Sequence, residues 1–356
     1  MTDLCYYEKA AAIITAFVMK GSEYMLTPKQ NVLETLKRDG KPDRLVNQFK
    51  PFVHITTDPC GRFTRGNRVK GTISKDRWGT TFNWPADQFA GMPHVTDDDK
   101  VLPDITNWRE YVNVPDLAAN CTDWADALAS ADCVNRDEQM VMGFMGTGCF
   151  EQMHYLMGFE DTLANLMIEP ECMDELAEVI GEYRYTYAKL LTDNLKPDLI
   201  LSHDDWGSKE TLFMNPGLWR RFFKPYYEKI YGYMHEHSVI VMHHADSYLE
   251  PIVEDLVDIG IDIWQGVLPT NNIRKIQKEL DGRMTLMGGI DSVIDRPDST
   301  EAEIRAEVRR ACCEYGPGGH FIPSLTYGGA GSIYPHVDPI VADEIDKYNI
   351  ETYGIC

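Results

Sequence analysis

The second half of this sequence alternates short apolar runs with longer segments of helical periodicity. Apolar runs of four or five residues are typical of strands buried on both faces of a sheet. Strands that alternate with helices form parallel sheets, so the pattern predicts an α/β fold. The predicted strands are residues 140–144, 199–202, 239–242, 261–264, 284–287 and 320–323, and the predicted helices are residues 170–193, 215–235, 248–259, 273–280 and 300–314.

Two earlier segments, residues 53–57 and 80–82, bring the predicted strands to the eight of a (β/α)8 TIM barrel. No glycine-rich dinucleotide or phosphate-binding motif follows any strand, which disfavours a nucleotide-binding fold. Residues 25–356 are interpreted as a single barrel domain with an irregular insertion around 58–135. Residues 1–24 are predicted to be an N-terminal helical extension that packs on the body or on a partner, for example in a homodimer.

Charge and cysteine content narrow the class of protein. The chain has 56 acidic and 34 basic residues, a formal net charge of −22. This balance disfavours nucleic acids and anionic membranes as partners. The nine scattered cysteines include no C-x-x-C pair, and the chain has no apolar stretch of 18 residues. The apolar residues 10–19 are interpreted as a helix and not as a signal peptide. We therefore expect a cytoplasmic protein.

Polar side chains follow the predicted strands, at the barrel end where active sites of this fold lie. His244 and Asp246 end one strand and alternate to the same side, whereas His243 points to the other side. Two such ligands suit a divalent metal such as zinc. The alternative is that His244 caps a neighbouring helix and Asp246 is the N-cap of the next one.

Other strand ends supply further candidates. His203, Asp204 and Asp205 follow one strand; only one of the two carboxylates needs to point into the site, and it could ligate metal or move a proton. Glu151 lies one helical turn before His154 and is a candidate ligand or proton donor. The side chains predicted to line an apolar substrate pocket are Phe144, Met145, Trp206, Trp264 and Gln265. The alternative for these aromatic and methionine side chains is plain core.

Several segments resemble the uroporphyrinogen decarboxylase superfamily in order and spacing. They are residues 27–44, 76–81, 150–160, 203–208 and 215–226. The triplet His244-Ala245-Asp246 stands where the cobalamin-dependent methyltransferase branch carries His-x-Cys. Residues 50–57 lack the decarboxylase-like arginine segment, which favours the methyltransferase branch. The resemblance covers residues 25–350 and implies a (β/α)8 barrel.

The resemblance implies an O-demethylase-like methyltransferase. Its methyl donor would be a small methoxylated, aromatic compound, and its acceptor the cobalamin cobalt of a corrinoid-binding protein. A divalent metal, expected to be zinc, would be held by His244 and Asp246. Asp205, Glu151 and His203 are the predicted catalytic residues, with Tyr327 as donor to the leaving oxygen. Alternatives are transfer from the corrinoid to a pterin or thiol, a metal-free lyase with Asp205 as proton donor, or a barrel that only binds.

Overall fold

A computed structural model describes residues 25–88, 90–325 and 332–355 of the chain. The predicted N-terminal extension, residues 1–24, and Tyr327 lie outside the described residues. Seven parallel strands form one curved sheet in the order β1-β5-β6-β7-β8-β9-β10. They are β1 Phe52–His54, β5 Met140–Met145, β6 Leu199–His203, β7 Ile240–His244, β8 Ile263–Val267, β9 Thr285–Ile290 and β10 Phe321–Leu325. The TIM-barrel-like fold is confirmed, with no eighth parallel strand among the described residues.

Helices connect these strands and cover the outside of the sheet. Before β5 lie α1 Pro28–Leu36, α2 Pro59–Arg65, α3 Trp108–Tyr111, α4 Leu117–Asn120 and α5 Ala125–Asp132. After β5 follow α6 Cys149–Met157, α7 Phe159–Ile168, α8 Pro170–Leu195, α9 Pro216–Phe222, α10 Lys224–Glu236, α11 Val253–Asp258, α12 Ile273–Leu280, α13 Glu301–Tyr315 and α14 Val337–Tyr353. Among the helices that the structure describes, none has both the length and the apolar character of a membrane span.

Local sequence signals explain where helices begin. Thr27 caps α1: its hydroxyl accepts the Gln30 backbone N–H, and Pro28 occupies the first turn. The single helix predicted over residues 215–235 is instead two helices separated at Phe223. Pro225 lies in the first turn of α10, where its missing N–H costs no hydrogen bond.

Side-chain alternation along the strands separates two apolar layers. One layer fills the barrel interior, and the other lies between the sheet and the helices. The interior layer contains Met140, Met142, Leu199, Leu201, Met242, Ile263, Met287 and Ile322, with Phe144 packed against it. Continuing this alternation decides which polar side chain at each strand end faces the barrel mouth.

The insertion carries its own small antiparallel sheet. Its strands are β2 Thr72–Lys75, β3 Thr81–Trp84 and β4 Met92–Pro93, in the order β2-β3-β4. The prediction that residues 80–82 add a strand to the barrel was therefore wrong. A short apolar segment identifies a strand but not its partner. Buried Trp78 and Trp108 belong to the same apolar cluster as residues of α8.

Candidate active site at the carboxyl ends of the strands

Three side chains of the types that ligate metal ions meet where β6 and β7 end. His203, Asp205 and His244 offer donor atoms that all lie within 4.8 Å of one another. His203 and His244 are paired in the register of β6 and β7, and their rings stack with centroids 4.5 Å apart and planes 10° apart. Asp205 Oδ2 lies 3.8 Å from His203 Nε2. All three side chains are partly exposed, so a small ligand can reach them.

Each imidazole is held through its other nitrogen. His203 Nδ1 lies 2.7 Å from Glu151 Oε2, and His244 Nδ1 is hydrogen-bonded to Gln265 Oε1. Both partners are oxygen acceptors, so Nδ1 donates to them, and Nε2 is the nitrogen left to face a ligand. Metal-ligating histidines are held in this way by carboxylates or carbonyls. Two oriented imidazoles and a carboxylate are a donor set that fits zinc or a similar divalent ion.

Electrostatics favour positive charge at His203. Burial disfavours the charged forms of both His203 and Glu151, but their mutual attraction outweighs it. The pKa of His203 is therefore raised, and that of Glu151 is lowered. Burial and the neighbouring His203 charge lower the pKa of His244. A pair of carboxylates that stabilises a proton on the His203 ring would also stabilise a metal ion there.

Asp205, and not Asp246, completes this group of donors. The Asp246 backbone N–H donates to Asp205 Oδ1 at 3.0 Å, which fixes the Asp205 carboxylate between β6 and β7. The Asp246 side chain is not a member of the group. Burial and then the Asp205 charge raise its pKa to about 7. The prediction that His244 and Asp246 ligate one metal ion is therefore revised. Strand alternation places two side chains on the same side but does not fix the distance between their donor atoms.

The predicted aromatic pocket is largely incorrect. Met145, Trp206 and Trp264 are fully buried in the layer between sheet and helices, away from the barrel mouth. Trp206 stacks on His243, and Trp264 donates its indole N–H to the Ala245 carbonyl. The same alternation that places His244 toward the barrel mouth places Met145 and Trp264 on the outer face of their strands, so it argues against a pocket role for both.

The remaining predicted residues divide by role. Phe144 packs against the interior layer and meets His54 edge to face, with ring centroids 5.4 Å apart. Gln265 is buried and contacts His244, so it orients a donor and is not a pocket wall. The orienting role of Gln265 could have been found from strand order, since it pairs with His244 in the register of β7 and β8.

A sequence model of the family described as "Uroporphyrinogen decarboxylase (URO-D)" matches residues 78–343, about three quarters of the chain. The chain belongs to the uroporphyrinogen decarboxylase family. Comparison of this chain with curated protein sequences finds no match.

Comparison with solved structures agrees with the barrel fold. A methyltransferase from Methanosarcina mazei is 17% identical, with a TM-score of 0.62, and the match covers 91% of this chain and 99% of that one. Xylanase B from Clostridium stercorarium F9 matches at 14% identity and a TM-score of 0.36, over 60% of this chain and 76% of that one. At these identities the first match shows the fold alone, and the second is too distant to support any argument.

Proposed function

We propose that this protein is a metal-dependent methyltransferase that passes a methyl group from a small methoxylated, aromatic compound to the cobalt of a corrinoid-binding protein. The observation that carries the proposal is the donor group of His203, Asp205 and His244, with both histidines oriented through Nδ1. Family membership and the methyltransferase from Methanosarcina mazei as a structural neighbour support it.

The three donors would hold the divalent ion at the barrel mouth. When bound, such an ion supplies a Lewis acid that stabilises negative charge on the ether oxygen. The methyl group leaves without the C–O bonding pair and is taken by the cobalt nucleophile. The pair stays on oxygen, which then takes a proton.

The residues of the chain have separate tasks in this scheme. Glu151, with its lowered pKa, is a poor proton donor; it holds the His203 ring and balances its charge. Gln265 holds the His244 ring with a neutral amide. Tyr327 would donate the proton to the leaving oxygen. Phe144 and His54 form the nearby ring surface against which an aromatic substrate would pack.

The test is an anaerobic single-turnover assay with a methoxyarene and free cob(I)alamin as the acceptor. Formation of methylcobalamin is followed by its visible absorption. His244→Ala should lower the rate on the order of 100-fold, the size of effect expected when stabilisation of a developing oxyanion is lost. His237→Ala is the matched control, since His237 is exposed and its ring contacts Tyr233 of α10.

Three outcomes would contradict the proposal. Equal rates for His244→Ala and His237→Ala would show that the donor group takes no part in the reaction. Methyl transfer from methylcobalamin to a thiol or pterin, with none from methoxyarenes, would support the opposite direction of transfer. Release of CO2 from a carboxylated substrate without metal would support a decarboxylase-like lyase.

A further inference from the structure

Asp204 lies between two of the proposed metal donors but points away from them. Its side chain is 0% exposed and enters the layer between the sheet and the helices. There the carboxylate accepts four hydrogen bonds, from the backbone N–H groups of Phe150 and Glu151 at 3.0 Å, the Trp206 indole at 2.8 Å and the Tyr227 hydroxyl at 2.6 Å. A buried carboxylate with this many donors is fixed in position.

Asp204 is joined by its backbone to every residue of the donor group. Asp204 adjoins His203 and Asp205 in the chain, and its backbone N–H donates to the His244 carbonyl at 3.2 Å. Its carboxylate caps the first turn of α6, which carries Glu151, the partner of His203. Asp204 therefore joins all three donors through its backbone, and the orienting residue Glu151 through its carboxylate.

The packing around the carboxylate leaves it no second position. A Cβ on Gly148 would lie 1.9 Å from Asp204 Cγ, so only glycine permits this approach of α6 to β6. Just before it, Thr147 has a φ of 46°, a strained value for a β-branched residue. Buried Arg184 holds this turn by donating to the carbonyls of Gly146 and Thr147.

We propose that Asp204 is a positioning residue whose buried carboxylate holds His203, Asp205, His244 and Glu151 in the arrangement that binds the metal. The inference rests on the proposed function, because it concerns the same metal site. It follows that affinity for the metal depends on a residue that never touches it. An asparagine would fill the same space but would turn its NH2 group toward N–H or O–H donors.

The experiment titrates Co2+ into chelator-treated protein and follows the visible ligand-field absorption. Asp204→Asn should weaken Co2+ binding on the order of 10- to 100-fold, as when a residue that supports a ligand is altered, and should change the absorption bands. Tyr227→Phe keeps the ring and removes the hydroxyl, which donates to Asp204 and accepts the Cys149 backbone N–H at the start of α6, so it should give a smaller loss in the same direction. Asp255→Asn is the matched control.

Asp255 is suited to this control because it is also a buried carboxylate with several strong donors. It is 5% exposed and bonds Arg220 and Lys224 on the outer surface. Asp255→Asn should lower stability toward urea while leaving Co2+ affinity and absorption unchanged. A merely structural role for Asp204 predicts the same behaviour in Asp204→Asn, so the two variants separate positioning from general stability.

The outcomes are distinct. Wild-type affinity and absorption in Asp204→Asn would overturn the inference alone. If Asp204→Asn does not fold, wild-type Co2+ binding by Tyr227→Phe overturns it, and weakened binding with altered bands supports it. Wild-type protein that binds no Co2+ overturns both the inference and the proposed function.

Discussion

The two histidines of the donor group differ in the charge of their partners. His203 is held by the Glu151 carboxylate, whereas His244 is held by the neutral amide of Gln265. A carboxylate makes an imidazole a stronger donor than an amide does, because it balances the charge that the ring acquires. We expect His203 to be the stronger donor and His244 the more readily lost one.

Trp206 tests the assignment of side chains to core or pocket. Trp206→Ala should lower the free energy of unfolding by about 3–5 kcal/mol, because it opens a cavity among fully buried aromatic rings. Urea denaturation measures this loss. Unchanged stability together with weakened binding of a methoxyarene would show that Trp206 lines the substrate pocket.

At the residue scale, alternation predicted which side chains share a face but not which ones meet. Alternation predicted that His243 and His244 point to opposite sides. In the structure His243 stacks on buried Trp206, whereas His244 lies with His203 and Asp205. Of the two adjacent carboxylates, Asp205 lies with this group and Asp204 is fully buried. The distance between Asp205 and His203 depends on the loop after β6. That loop is fixed by a hydrogen bond from Asp246, which is 41 residues away in sequence.

At the element scale, the site depends on three neighbouring strands and one helix. β6, β7 and β8 bring His203, His244 and Gln265 side by side through their parallel register. α6 adds Glu151 from the layer outside the sheet. Strand periodicity predicted β6, β7 and β8, but the break at Phe223 and the partner of β3 depend on tertiary contacts that no local pattern contains.

The helix α2 carries a cation to the rim of the site. Arg65, at its end, lies over the Phe144 ring, 5.7 Å from the centroid, and its charge also attracts the buried Asp58 carboxylate. An exposed cation at this place favours an anionic group on the bound molecule. Arg65→Ala should weaken binding of a methoxybenzoate by up to about fivefold, the range of an exposed charge pair, and leave that of uncharged anisole unchanged.

Calorimetric titration of both compounds checks this prediction. Because Arg65 is exposed, the fold should be retained. Equal weakening for methoxybenzoate and anisole would instead indicate that the arginine acts by packing on Phe144. No change for either compound would place the substrate away from the rim.

At the scale of the whole molecule, the barrel brings together residues that are distant in sequence. Glu151 and Gln265 are separated by more than a hundred positions, yet each orients one histidine of the same group. Because the carboxyl ends of parallel strands meet at one edge of a sheet, the sequence predicted that residues from several strand ends lie close together. The insertion was harder to predict, because its short strands pair with each other and not with the barrel.

The most direct test of the account is the metal content of the wild-type protein purified without chelators. The account predicts about one divalent ion per chain, as expected for a single site with three donors, and its loss in His203→Ala at unchanged fold by circular dichroism. A wild-type protein without a stoichiometric ion, or a His203→Ala variant that retains it, would contradict the account.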